Sequence, residues 1–158
     1  MKARTLPALI ACVAFSACSY AYDVVAVPHD GVVQFTDNRS GFEQIVFGGR
    51  CVREVWVTAR SGPLPAIAPG DNAGIIRRHR TYWSESVVYE DDCANRLPLT
   101  YGAALSGAPQ GDDPLVPVSA KALLPDIIYD VSTTTGATGY GHGRFVIRRD
   151  GRVENLPD

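Results

Sequence analysis

Histidine, lysine and long apolar runs are all scarce in this chain, and each shortage excludes something. The 3 histidines among 158 residues, His29, His79 and His142, stand far apart. A zinc site would therefore have to be assembled wholly by tertiary structure. No histidine lies close to a cysteine and there is no Cys-x-x-Cys, so local zinc and redox motifs are missing. Gly-x-Ser-x-Gly, His-Glu-x-x-His and Ser-x-x-Lys are missing too, and with them the sequence signatures of several hydrolase and protease classes. Adjacent carboxylates occur at Glu90-Asp91-Asp92 and Asp112-Asp113, but without the one-apart ligand spacing and central glycine of a calcium loop. Neither a metal nor a cofactor is expected.

Positive charge is also short. The 15 basic residues face 17 acidic ones, which argues against a general nucleic-acid binder. Lysine appears only at Lys2 and Lys121; the arginine skew reflects genome composition as easily as recognition.

The one apolar run is at the start. Lys2 and Arg4 precede residues 6–15, a run broken only by Pro7, and together they read as the charged and apolar regions of a secretory signal. The run is about half the ~20 residues a membrane-spanning helix needs, so no transmembrane helix is expected. Two exits from the signal compete. Ser19-Tyr20-Ala21 has small residues at the first and third positions before a cut, which would leave residues 22–158 as one domain. Phe15-Ser16-Ala17-Cys18 resembles the lipobox of bacterial lipoproteins, which would lipidate Cys18 and tether the chain. Phe15 departs from the aliphatic residue usual there. The protein is thus expected to be exported, either periplasmic or secreted, or an outer-membrane lipoprotein if Cys18 carries lipid.

Cys12 and Cys18 belong to the leader or its edge, leaving Cys51 and Cys93 in the domain. In an oxidising compartment such a pair closes on itself, and two candidates allow one connectivity.

Short runs rich in Val, Ile, Tyr, Phe and Trp recur between clusters of Gly, Pro, Asp and Asn. Strands are expected at 24–27, 32–35, 44–47, 51–59, 75–79, 82–89, 127–131, 145–148 and 152–155. Pro28-His29-Asp30-Gly31 and Arg149-Asp150-Gly151-Arg152 read as hairpin turns, since Asp-Gly suits two successive positive-φ positions. Ser119 is placed to cap a short helical turn that Pro125 ends. Residues 61–74 and 102–117 read as long surface loops. The expected fold class is all-β: a small antiparallel β-sandwich or barrel with one short helical turn and a single disulfide.

Three features point towards function. Residues 132–143, Ser-Thr-Thr-Thr-Gly-Ala-Thr-Gly-Tyr-Gly-His-Gly, fail the phosphate-loop pattern in glycine spacing and lack Lys-Ser or Lys-Thr; they read as a flexible loop. Tyr140 and His142 within it share one side of an extended segment, and His142 is a weak catalytic candidate. Arg77-Arg78-His79-Arg80-Thr81-Tyr82-Trp83, taken as a strand, puts Arg78, Arg80 and Tyr82 on one face. That strip suits a phosphate, a carboxylated glycan or an acidic protein. The leading expectation is a non-catalytic exported binding or envelope-associated module, its partner an unknown protein or envelope component. The alternatives are a small hydrolase centred on His142 and Tyr140, and an inhibitor of secreted hydrolases presenting one of the two long loops.

Overall fold

Alternation of apolar and polar residues builds one sheet. In the sequence Glu-Val-Trp-Val-Thr-Ala, Val55, Val57 and Ala59 are buried while Glu54, Trp56 and Thr58 face outwards, the period-two pattern of a half-buried strand. A computed structural model describes residues 19–39, 50–88, 93–109, 117–136 and 139–157, and every structural statement below concerns these. Strands β1 (Tyr20–His29), β2 (Val32–Asp37), β3 (Glu54–Ala59), β4 (Thr81–Ser86), β5 (Leu99–Thr100), β6 (Ile128–Thr135), β7 (Gly139–Ile147) and β8 (Val153–Leu156) accompany one short helix, α1 (Ala73–His79). The sheet runs β4-β3-β6-β7-β1-β2-β5, with β8 paired to β7. It curls into a half-barrel and strand outweighs helix 48% to 6%, so the all-β class holds in its barrel-like form.

One pairing departs from the antiparallel expectation. The first half of β1 runs parallel to β7, Tyr20 opposite Gly139 and Asp23 opposite His142, while its second half pairs antiparallel with β2. Inside the curl an aromatic chain fills the core, from Trp83 through Tyr101, Phe35, Phe145 and Tyr129 to Tyr82, with successive ring centroids 5.1–6.4 Å apart. Edge-to-face and stacked contacts of this kind add roughly 1 kcal/mol each beyond area burial.

The Asp30-Gly31 turn is as expected, with φ of 49° and 81°. The second hairpin closes differently. Gly151 N–H donates to the Arg148 carbonyl and Arg148 N–H to the Arg152 carbonyl, 2.9 and 2.8 Å, and Gly151 alone of the turn residues takes positive φ, 81°. That is a three-residue loop with a bulge at glycine.

Two local expectations are corrected. Residues 75–79 are the end of α1, not a strand: the Asn72 side chain accepts from Ile75 N–H at 3.1 Å, and only Ile76 is buried. Capping by asparagine outweighs the β-propensity of two isoleucines. Residues 119–124, expected as a helical turn, form no helix. Their backbone donors are taken elsewhere: Lys121 N–H by the Tyr82 carbonyl and Leu124 N–H by the Tyr129 hydroxyl. The strand expected at 44–47 and the end of that at 82–89 lie outside the described residues, as does Cys18. Cys51 and Cys93 form the disulfide, Cα atoms 5.2 Å apart, beside a short ladder in which Leu97 N–H donates to the Arg50 carbonyl and Val52 N–H to Asn95.

Candidate functional site

The glycine-rich segment proves to be the centre of the sheet. Residues 132–135 end β6 and 139–143 open β7, so the expected loop is two strands. Glycine is needed there because β1 lays tyrosines across β7 while the Thr133 and Thr135 hydroxyls of β6 crowd Gly141 and Gly139. A Cβ on Gly139 would stand 2.6 Å from the Tyr20 ring, and one on Gly141 2.4 Å from the Tyr22 ring. At Gly143 it would meet the Val24 carbonyl oxygen at 1.9 Å. The Tyr20 and Tyr22 hydroxyls bond Thr135 and Thr133 at 3.0 and 2.6 Å, and the Arg50 guanidinium lies 5.1 and 4.5 Å from the two ring centroids. Arg50 Nε also stands 3.3 Å from the Asp37 carboxylate, and Arg39 Nε 2.6 Å from it. Burial pushes the Tyr22 hydroxyl above its ordinary pKa, against the lowering effect of the Thr133 bond.

The opposite, outward face of the same strands carries a candidate site. Register places Trp56, Ser132, His142 and Asp23 in one row across four strands, and Glu54, Thr134 and Tyr140 in the next. The short side chains of Ser132 and Thr134 on β6 form a floor. Trp56 and Glu54 on β3 wall one side, Tyr140 and His142 on β7 the other, and His79 at the end of α1 completes an open concavity of about 530 Å³. Adjacent strands stand about 4.8 Å apart, so the walls are separated by about 10 Å. The Trp56 indole donates to Glu54 Oε1 at 2.7 Å, and Tyr140 is 52% exposed.

His142 and Ser132 are directly cross-strand, and Asp130 Oδ1 lies 4.0 Å from His142 Nε2. The set has the residue types of a hydrolytic triad without its geometry. A triad histidine uses one nitrogen for the carboxylate and the other for the nucleophile, at hydrogen-bond distance. Here the carboxylate is engaged by Arg60 at 2.8 Å and Arg144 at 3.1 Å. The surrounding β3, β6 and β7 backbone is paired in the ladder, so the described strand residues offer no free N–H pair to an oxyanion.

The expected arginine strip is not brought together. Arg78 is exposed on the last turn of α1, Arg80 is its left-handed cap at φ 50°, and Tyr82 is buried at 1% exposure. A single face required the period of a strand, and the helix end breaks that period. Tyr82 instead packs on Tyr129.

The first long loop is clamped, not free. Asp71, with a side chain 2% exposed, accepts from Ala68 N–H at 2.6 Å, from Ser119 N–H and hydroxyl at 2.9 Å, and from the Lys121 ammonium. Burial alone would raise its pKa, but these donors, Lys121 foremost, hold it well below the usual carboxylate range. Leu64 and Ile67 remain exposed on this loop. Residues 110–116 of the second long loop lie outside the described residues.

Sequence reasoning found Tyr140 and His142 but missed Trp56, Glu54, Ser132 and Thr134. A signal was present: a tryptophan on the polar side of an alternating strand. No helix among the described residues is long and apolar enough to cross a membrane, and no group of three His, Cys, Asp or Glu among them is arranged to hold a metal. Comparison of the chain with protein-family models, with curated proteins and with solved structures found no match to any of the three.

Proposed function

We propose that the protein is an exported, non-catalytic binding module of the cell envelope or its surroundings, and that its groove over β6 holds an extended, hydroxyl-rich ligand of the glycan-strand class. One observation carries this reading: two aromatic walls, Trp56 and Tyr140, flank a floor of hydroxyls from Ser132 and Thr134. Ring faces suit the C–H faces of sugars, while Glu54, the imidazoles and the floor hydroxyls supply the few polar contacts that fix orientation. An open concavity accepts a chain. The Cys51–Cys93 bond is compatible with residence outside the cytoplasm, where such bonds persist.

Retention on a panel of immobilised linear polysaccharides and peptidoglycan fragments tests the reading. Trp56→Ala and Tyr140→Ala should each weaken retention of the bound member about tenfold, corresponding to about 1.4 kcal/mol per ring. Retention unchanged in both variants, with the fold intact, overturns it. A hydrolase reading is disfavoured because Arg60 and Arg144 already engage Asp130; turnover abolished by His142→Ala would restore it.

A further inference from the structure

We infer that signal processing cuts the chain on the N-terminal side of Tyr20, so that the mature domain keeps Tyr20 and Ala21 instead of beginning at Tyr22. This rests on the export reading above.

Four observations carry it. Tyr20 and Ala21 are already in the ladder, opposite Gly139 and Tyr140 of β7. The Tyr20 hydroxyl bonds Thr135, which is 4% exposed, at 3.0 Å. The Arg50 guanidinium lies over the Tyr20 ring, 5.1 Å from its centroid. Gly139 leaves room that Tyr20 shares with Thr135: a Cβ there would meet the Thr135 hydroxyl and would stand 2.6 Å from Tyr20 Cζ and its hydroxyl oxygen.

A cut after Ala21 removes all of these at once. It also puts a new α-ammonium on Tyr22 within the β1–β7 ladder, where Tyr22 stands opposite Gly141. Glycine in a strand weakens it unless something packs in the space left. Without Tyr20, Gly139 keeps that cost and loses the ring, with Thr135 left beside it. The small residues Ser19 and Ala21 that suggested the later exit have another reason to be small or polar. Ala21 is exposed at the start of a paired strand, and Ser19 directly precedes it.

N-terminal sequencing and intact-mass measurement of the protein recovered from the envelope or medium of its own host decide the matter, with the cytoplasmic fraction measured alongside. A terminus at or before Tyr20 is expected. A terminus at Tyr22 or beyond overturns the inference while leaving export intact. A chain found only uncut and only in the cytoplasm overturns both. Ala21→Leu gives an independent reading: processing should be unchanged, whereas blocked processing places the cut after Ala21. In vitro, the domain started at Tyr22 should melt on the order of 5 °C below the domain started at Ser19. Equal melting temperatures count against the inference.

Discussion

Among the described glycines, Gly143→Ala should be the most damaging substitution by alanine. The new Cβ would meet the Val24 carbonyl oxygen at 1.9 Å and its carbon at 2.9 Å. Both atoms are backbone of the neighbouring strand, so no rotamer relieves the contact, and β1 must move away from β7 by more than 1 Å. Overpacking of a rigid site costs about 1–3 kcal/mol, and because the obstacle here is main chain the upper end applies. About 3 kcal/mol corresponds to a loss of about 10 °C in Tm for a domain of this size. Gly151→Ala is the matched control. It has nothing within 4 Å of its Cβ but sits at φ 81°, so its cost is conformational, about 1 kcal/mol, or about 4 °C. Urea and thermal unfolding of the two variants, with the disulfide intact, separate crowding from φ strain. A Gly143→Ala midpoint equal to or above that of Gly151→Ala refutes the proposed contact between β1 and β7.

Three further outcomes follow from other parts of the molecule. Replacing both Cys51 and Cys93 by serine opens a loop with sequence separation 42; the chain-entropy estimate is about 4 kcal/mol, to be read as a shift in urea midpoint. Asp71→Ala breaks a buried pair and should cost about 3 kcal/mol. Because the folded carboxyl titrates below its unfolded value, its contribution is complete above about pH 4 and is lost as the pH falls below that. Asp71→Asn should therefore flatten the acid limb of the stability curve, and an unchanged limb refutes this. Burial pushes the Tyr101 and Tyr129 hydroxyls well above the ordinary tyrosine value. Their stabilising effect is present below about pH 10 and lost at higher pH, so ultraviolet titration should show at least these two tyrosines ionising only with alkaline unfolding.

What the sequence made legible was local or forced by elimination. The Asp30-Gly31 turn carries its φ requirement in its own residues, and two cysteines in the domain allow one bond. Most of the strand segments were legible for the same reason, since alternation is visible within a few residues. The Gly-x-Gly-x-Gly run was misread because glycine has low strand preference, and the partner that justifies it, Tyr-x-Tyr-x-Val at 20, 22 and 24, is more than a hundred residues away. The shared period of two was the clue that the two runs pack together. Helix α1 reads as a strand from its two isoleucines, because the Asn72 cap that decides for a helix lies three residues before them. The groove was invisible because register, not sequence, aligns Trp56, Ser132 and His142. Tyr140 and His142 were placed correctly on one face, although their strand had been taken for a loop.

The position of β1 sets the order in which the domain can be finished. Its second half can pair with β2 as soon as the Asp30-Gly31 turn has formed, but Tyr20 bonds Thr135 across a separation of 115 residues. The first strand made is therefore completed almost last. Whatever compartment it folds in, the chain carries an unfilled place beside β1 until the glycines of β7 arrive. Contacts of such long range are slow to close, which gives a moving chain time to remain unfolded. A chain stopped before Gly139 should show the β1–β2 hairpin as its most advanced structure at this end, with Tyr20 and Tyr22 open to solvent. The glycines thus act as a late-arriving socket: they decide when folding is complete, as well as where the tyrosines lie.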